Sequence, residues 1–258
     1  AILLLVHRIP YPPNKGDKIR SYNLLKFLSK SYDVYLGAFI DDPNDRKYIQ
    51  KVKPYCKGLC LIDINPLFRK IASLRGFLTN QALSLPFYKN QQMKSWVNEI
   101  VLEKRIKKHL VYSSPMAQYV QTVDDAELKI IDFVDVDSEK WKQYSEKQAG
   151  MMSWIYAREA KQLLKYEKQV ANEFDYSLFV SKNEAALFSQ LAPGLNEKIA
   201  YYSNGVDTAY FSPHTELVNP YLKHGKNAQI IVFTGAMDYW ANQEAVLWFA
   251  QTIFPSLK

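Results

Sequence analysis

The chain has 258 residues, of which 48% are hydrophobic and 23% are charged, so its composition is that of a globular protein and excludes a disordered one. The formal net charge of +7 favours a partner with negative charge. The basic residues are spread out and lack the interleaved aromatics of an RNA-binding signature. We therefore expect an anionic small molecule or a membrane surface as partner, and no nucleic acid.

Three features of the sequence bear on the expected cellular location. No run approaches the roughly 18 apolar residues of a membrane span, and the opening segment lacks the pattern of a signal peptide. The two cysteines, Cys56 and Cys60, are too few for a structural zinc site, because no histidine stands at metal-ligand spacing. A cytoplasmic location with reduced thiols is expected.

An apolar strand followed by a basic loop opens the chain. The run 2–6 is typical of a strand buried on both faces of a parallel sheet. A helix follows the loop, and Asp17 is its predicted N-cap. Free amide groups and the helix dipole attract anions at such a terminus, although a plain connection with solvated charges is the alternative. Four residues are expected to approach a phosphate-bearing ligand here: Lys15, Gly16, Asp17 and Arg20.

Strands and helices then alternate along the chain. This alternation predicts an α/β protein with a Rossmann-like, doubly wound parallel sheet. After the first strand, six more are predicted, at 33–40, 58–64, 109–112, 128–134, 176–181 and 198–202.

The segment 65–108 is predicted to be helical, with breaks at Pro66, Gly76 and Pro86. Its apolar residues interleave with arginine and lysine, which is the pattern of an amphipathic segment on a membrane surface. The alternative is an irregular helical insertion that packs on its own domain. A peripheral contact with an anionic membrane, on its inner face, is therefore one of the expected partnerships.

Three parts are predicted in the domain organisation. Residues 1–211 form an N-terminal Rossmann-like domain, and 212–229, with its prolines, glycine and polar residues, form a linker. Residues 230–258 are predicted to be the first strand–helix unit of a second Rossmann-like domain, with a strand over 230–238. We expect the chain to be part of a longer protein.

Polar residues follow several of the predicted strands. In a doubly wound sheet the carboxyl ends of the strands face one crevice, so these residues are expected to bind hydroxyl groups together. Each one alone is more often a helix cap than a ligand. Asp135-Val136-Asp137 also matches the Asp-x-Asp metal motif of another transferase fold, with one capping and one solvated carboxylate as the alternative. The candidates are Ser113, Ser114, Asp135, Asp137, Ser138, Ser181, Glu184, Asn204, Gly205 and Asp207.

Asn204-Gly205-Val206-Asp207 is the most specific motif. Asn-Gly favours a tight turn. With Phe211 and Pro213 just before the predicted linker, the motif resembles the interdomain crossover of retaining glycosyltransferases of the GT-B fold (the "group 1" family). One branch is more similar still: the sugar transferases associated with exosortase/PEP-CTERM systems and exopolysaccharide gene clusters. The segments that carry this resemblance are 10–20, 132–141, 179–184 and 233–242.

The resemblance implies an enzyme of the hexosyltransferase type. It would transfer a sugar from a nucleotide-sugar donor to a polysaccharide, lipid-linked or other glycan acceptor with retention, using no cofactor and no metal. The loop of Lys15, Gly16, Asp17 and Arg20 would approach the donor diphosphate, and so would Gly235.

The candidate acceptor-side residues come from the strand ends, because the resemblance implies that the N-terminal domain mainly holds the acceptor. Asp135 is the candidate catalytic residue, because it would contact the acceptor hydroxyl. Acceptor contacts would also come from Ser113, Ser114, Asp137, Ser138, Ser181 and Glu184, and the interdomain crossover from Asn204, Gly205 and Asp207.

The chain departs from the family pattern in two ways. Many relatives carry a histidine where Ser113-Ser114 stands, and the donor-binding Glu-x7-Glu segment is absent, so we expect residues 1–258 to be inactive alone. Two alternatives stay open: a non-catalytic carbohydrate- or nucleotide-binding module, and a metal-dependent Asp-x-Asp transferase.

Overall fold

The computed structural model describes residues 1–123, 125–212, 221, 229–237 and 240–257. The chain forms two compact units, Ala1–Gly205 and Val206–Lys258. The described strands all lie in the first unit. They are β1 (Ile2–Val6), β2 (Val34–Ile40), β3 (Gly58–Asp63), β4 (Lys108–Tyr112), β5 (Leu128–Val134), β6 (Tyr176–Phe179) and β7 (Ile199–Tyr201).

These strands form one parallel sheet in the order β3-β2-β1-β4-β5-β6-β7. The first strand pairs with β2 on one side and β4 on the other. The chain therefore winds outward from β1 to β3, returns to β4, and winds the other way to β7. This confirms the α/β, Rossmann-like, doubly wound sheet predicted from the sequence, with its topological switch between β1 and β4.

Helices cover both faces of the sheet. Alternate residues of β1 enter two apolar clusters: Leu3 and Leu5 join one, and Leu4 joins the other. The helices of the first unit are α1 (Gly16–Leu28), α2 (Ile49–Val52), α3 (Pro66–Ser73), α4 (Arg75–Leu78), α5 (Ser84–Tyr88), α6 (Gln91–Lys104), α7 (Asp137–Lys147), α8 (Gly150–Glu173) and α9 (Lys182–Leu191). Short 3-10 helices span Pro43–Tyr48, Lys53–Tyr55, Ser114–Tyr119 and Asn196–Lys198.

Some local predictions are wrong. Helix α1 begins at Gly16 with Lys15 as its N-cap residue, so Asp17 is not the cap; its carboxylate binds side chains that follow β1 instead. Residues 202–207 do not form the predicted turn, and the Asn204 side chain binds Arg20. Helix α7 follows β5 directly and was not predicted.

The second unit contains helix α10 (Trp240–Trp248), then a π-helix over Phe249–Ile253 and a 3-10 helix over Phe254–Leu257. The predicted helix of this unit is therefore present. The predicted strand is not found in residues 230–237, which have no strand partner, and a strand requires a hydrogen-bonded neighbour. The predicted linker, 212–229, lies almost entirely outside the described residues. No described helix has the length and apolarity needed to cross a bilayer.

Candidate functional site

Arg20 is the centre of a buried network at the carboxyl edge of the sheet. Its Nε atom lies 2.9 Å from Oδ2 of Asp132, and its Nη2 atom lies 3.3 Å from Oδ1, so the ion pair is bidentate. Its Nη1 atom donates to the carbonyl of Tyr202 at 2.9 Å and to Oδ1 of Asn204 at 3.0 Å. Both charged side chains are buried. The network thus joins α1, β5 and the segment after β7.

Tyr202 closes this network. Its hydroxyl donates to Oδ2 of Asp132 at 2.6 Å, and the guanidinium of Arg20 lies 3.5 Å from the centroid of its ring. Burial, together with the charge of Asp132, raises the pKa of the Tyr202 hydroxyl. Tyr202 is therefore a neutral hydrogen-bond donor at any physiological pH.

The two strands that end beside this network have unusual backbone. Val134 has a φ of 71° and Ser113 a φ of 76°, a region that residues other than glycine rarely adopt. The pairing of β5 with β6 shifts register between Asp132 and Val134, and Oδ1 of Asp132 accepts the Val134 amide at 3.1 Å. Strained backbone and bulges of this kind concentrate near functional sites.

A second polar group surrounds Asp17 at the N-terminus of α1. Its Oδ2 atom lies 3.3 Å from Nε2 of His7 and 3.1 Å from Nη1 of Arg8. The other end of the guanidinium, Nη2 of Arg8, lies 3.2 Å from Oδ2 of Asp41. Burial alone would raise the pKa of Asp17, but the His7 hydrogen bond and the Arg8 charge outweigh it and hold the pKa well below its usual range.

Tyr112, the last residue of β4, is the strand partner of Asp132 of β5 and contacts the second group. Its hydroxyl donates to the carbonyl of Asp17 at 3.1 Å, and its ring stacks on that of His7 with a centroid separation of 5.9 Å. The ring of His7 also packs edge-on against Tyr88. Side chains from β1, β4 and α1 are thereby held together at the topological switch, where open α/β sheets bind their ligands.

Some polar groups at this edge have no partner within the described chain. They are the Nδ1 atom of His7, the Nε atom of Arg8 and the hydroxyl of Ser114, all buried. Lys15 and Gly16 are exposed at the start of α1, where no side chain caps the amides. A buried polar atom without a partner costs free energy, so His7 and Ser114 are suited to a ligand that supplies the missing hydrogen bond.

The carboxylates of Asp135 and Asp137 share a lysine. The Nζ atom of Lys140 lies 2.7 Å from Oδ2 of Asp135 and 3.2 Å from Oδ1 of Asp137. Burial would lower the pKa of Lys140, but the two carboxylates raise it above its ordinary value. A divalent cation would therefore compete with a charged lysine for these oxygens. The described residues contain no cluster of three or more His, Cys, Asp or Glu that fits a metal ion.

Three other predicted acceptor-binding residues form hydrogen bonds to groups of the protein itself. Ser138 donates through its hydroxyl to Oε2 of Glu167 at 2.5 Å, and burial raises the pKa of this glutamate to about 8. Ser181 caps α9 by accepting the amide of Glu184 at 3.2 Å. Glu184 in turn accepts the amide of Val136 at 2.7 Å, which fixes the backbone between Asp135 and Asp137.

Two predicted site residues belong to the second unit. Asp207 accepts the amides of Ala209 and Tyr210 at 3.1 and 3.0 Å, so it caps a local turn. Gly235 lies against Asn242: a Cβ atom at this position would stand 2.9 Å from the Asn242 amide nitrogen. A side chain at 235 would therefore displace Asn242.

Several residues of this edge were not predicted from the sequence: His7, Arg8, Asp41, Asp132 and Tyr202. One signal was available, because Asp132 is a charge inside the apolar run of β5, and a buried charge requires a partner. His7 and Arg8 follow β1 directly, at the same edge as the predicted loop.

The fold of this chain is similar to that of a solved structure. No protein-family model and no curated protein matches the chain. The chain is similar to the N-terminal domain of trehalose-6-phosphate phosphatase from Candida albicans, with a TM-score of 0.45, 12% identity and coverage of 81% of this chain and 49% of that one. It thus spans about half the length of that structure. The sheet topology itself defines the class: an α/β protein with a Rossmann-like, doubly wound parallel sheet.

Proposed function

We propose that this chain is the acceptor-side part of a retaining sugar transferase of exopolysaccharide biosynthesis. It would serve the transfer of a sugar from a nucleotide-sugar donor to a polysaccharide, lipid-linked or other glycan acceptor, in the cytoplasm. The observation that carries the proposal is the network around Arg20. Arg20, Asp132 and Asn204 come from three separate motifs that resemble this family, and Arg20 binds the other two at the carboxyl edge of the sheet.

The roles of the residues follow from their surroundings. Lys15 and the free amides of α1 offer positive charge to the donor diphosphate. The buried hydroxyl of Ser114 and the Nδ1 atom of His7 lack partners and suit hydrogen bonds to a sugar. Retaining transfer can use the donor phosphate itself as base, so the protein needs to supply orientation and electrostatic stabilisation.

Asp135 is the proposed contact to the acceptor hydroxyl. Its carboxylate is partly exposed, and Lys140 holds it in place. Replacing Asp135 by alanine should therefore raise the KM for the acceptor more than it lowers kcat.

The test is a screen of nucleotide sugars and glycan acceptors with the complete gene product and with residues 1–258. We expect transfer with retention from the complete product and none from residues 1–258. Transfer by residues 1–258 would refute the expected inactivity of that fragment alone. Binding without turnover by the complete product would favour the non-catalytic module.

The same assay separates the metal-dependent alternative. If Asp135 and Asp137 held a catalytic cation, a chelator and the Asp135→Ala change would each abolish transfer. Because Lys140 binds both carboxylates, we expect transfer to persist in the chelator.

A further inference from the structure

Helices α3 and α4 carry an apolar face that points away from the protein. Four of its residues follow the helical spacing i, i+4, i+7 and i+11, so they share one side of the helical segment, and a fifth directly follows the first of them. We call them the α3–α4 apolar face. The members, with their exposed fractions, are Leu67 (71%), Phe68 (72%), Ile71 (67%), Leu74 (55%) and Leu78 (89%).

The inward side of α3 is small and polar. Arg69, Ala72 and Ser73 are partly buried there, and Nη1 of Arg69 donates to the carbonyl of Lys89 at 2.7 Å. A surface helix of a globular protein normally has the opposite arrangement, with its apolar stripe against the core. The orientation of α3 therefore exposes large apolar side chains to water, although the opposite orientation would bury them.

Specific contacts hold the segment in this orientation. Glu159 of α8 accepts the amides of Leu83 and Ser84 at 2.6 and 3.2 Å. Arg158 donates to the carbonyl of Gly76 at 2.6 Å, and its guanidinium lies over the ring of Phe77. The outward apolar face is thus part of the folded arrangement.

The start of α8 extends the apolar surface. The ring of Trp154 stacks on Phe77 with centroids 6.0 Å apart, and Trp154 is 61% exposed. Met151, one turn earlier, is 77% exposed. Contiguous exposed apolar surface of this kind marks an interaction site.

The charge of the segment indicates the partner. Residues 64–98 contain five lysines and arginines and no aspartate or glutamate. Lys70 and Arg75 lie between the apolar residues and are exposed. Cations beside an outward apolar face are complementary to anionic headgroups above an acyl-chain layer.

We propose that the α3–α4 apolar face docks on the surface of an anionic lipid bilayer. The apolar side chains enter the boundary between headgroups and acyl chains, and Lys70 and Arg75 contact lipid phosphates. This goes beyond the proposed function and does not depend on it, since docking needs no nucleotide sugar.

The test is co-sedimentation of the protein with vesicles of phosphatidylcholine, with and without phosphatidylglycerol. We expect binding to the anionic vesicles that weakens in high salt. The double change Leu67→Ser and Ile71→Ser should weaken it about tenfold or more. The double change Lys70→Gln and Arg75→Gln should weaken it about tenfold on anionic vesicles only.

The matched control is Phe27→Ser. Phe27 is 68% exposed on α1. The buried leucines of α1 pack in the apolar cluster that contains Leu4, away from the α3–α4 apolar face, so the loss of Phe27 should leave vesicle binding unchanged. Thermal unfolding of each variant checks that the fold is kept. Quenching of Trp154 fluorescence by brominated lipid, lost in Trp154→Phe, should locate the docking face.

Three outcomes would overturn the proposal. One is equal vesicle binding by the wild type and the Leu67→Ser, Ile71→Ser variant. A second is binding that is the same with and without phosphatidylglycerol. The third is a dimer that this double variant dissociates while the wild type binds no vesicles, because the face would then be covered by a second copy.

Discussion

The guanidinium of Arg20 and the carboxylate of Asp132 form a bidentate ion pair between residues 112 positions apart, and both side chains are buried. Burying two charges is costly unless each one finds its partner and further hydrogen bonds. Tyr202 supplies one of these to Asp132, and Tyr202 and Asn204 accept from Arg20. The pair therefore fixes the relation of α1 to β5.

Replacing Asp132 by asparagine should destabilise the protein strongly. The change leaves Arg20 buried without a counter-charge, which costs about 3–5 kcal/mol in buried pairs. Urea unfolding gives the change in free energy. The matched control is Asp63→Asn, which breaks the exposed pair with Arg46 and should cause no measurable loss. Equal effects of the two variants would contradict the importance of burial.

Asp17 should make the protein sensitive to acid. The pKa of its carboxyl in the folded protein lies below the ordinary value of 3.8. As the pH falls below that value, the unfolded chain takes up a proton that the folded protein excludes, so the free energy of unfolding decreases. Asp17→Asn should reduce this loss, and so should His7→Gln. Unfolding midpoints at pH 6 and pH 3 measure it; an unchanged difference in both variants would refute it.

Glu167 should have the opposite effect on the pH dependence of stability. Burial raises its pKa to about 8, against an ordinary value of 4.5. Between these values the folded protein keeps a proton that the unfolded chain has released. The free energy of unfolding should therefore fall as the pH rises, by up to about 1.4 kcal/mol per pH unit. Urea unfolding from pH 5 to 8 should show a flatter dependence in Glu167→Gln, and identical slopes would count against it.

Lys15 should affect donor binding without affecting stability. It is exposed at the start of α1, and a lost contact to a charged phosphate weakens binding about tenfold or more. Lys15→Ala should raise the KM for the nucleotide sugar in the complete gene product, with unchanged thermal unfolding. Lys30→Ala, an exposed lysine just beyond the other end of α1, is the control. A similar rise in both variants would show that only overall charge matters.

The strands could be predicted because buried parallel strands leave apolar runs. Ile2–Val6 and Leu128–Val134 lie within a residue of the predicted bounds. Helix α8 leaves an equally local pattern, since its buried residues recur at helical spacing. Residues 230–237 have the same apolar composition but no strand partner, and composition alone does not supply one.

The place of the Arg20 network in the fold could be predicted, but its hydrogen bonds could not. The carboxyl edge follows from the fold class, and Arg20 and Asn204 were both expected there. Their hydrogen bond, and the partnership with Asp132, join residues distant in sequence, so no local pattern reveals them. Ser181 and Glu184 were expected to bind ligand, yet their oxygens bind backbone amides, as serine and glutamate at helix starts commonly do.

The hydrogen bonds from Arg20 to Tyr202 and Asn204 limit how far the polypeptide can be shortened. Strand β7 ends at Tyr201, yet the guanidinium of Arg20 binds Tyr202 and Asn204 beyond it. A polypeptide that ended at Tyr201 would keep the pair with Asp132 but would leave the Nη1 atom of the buried Arg20 without its two acceptors. The smallest autonomous piece should therefore run through Asn204, beyond the edge of the sheet.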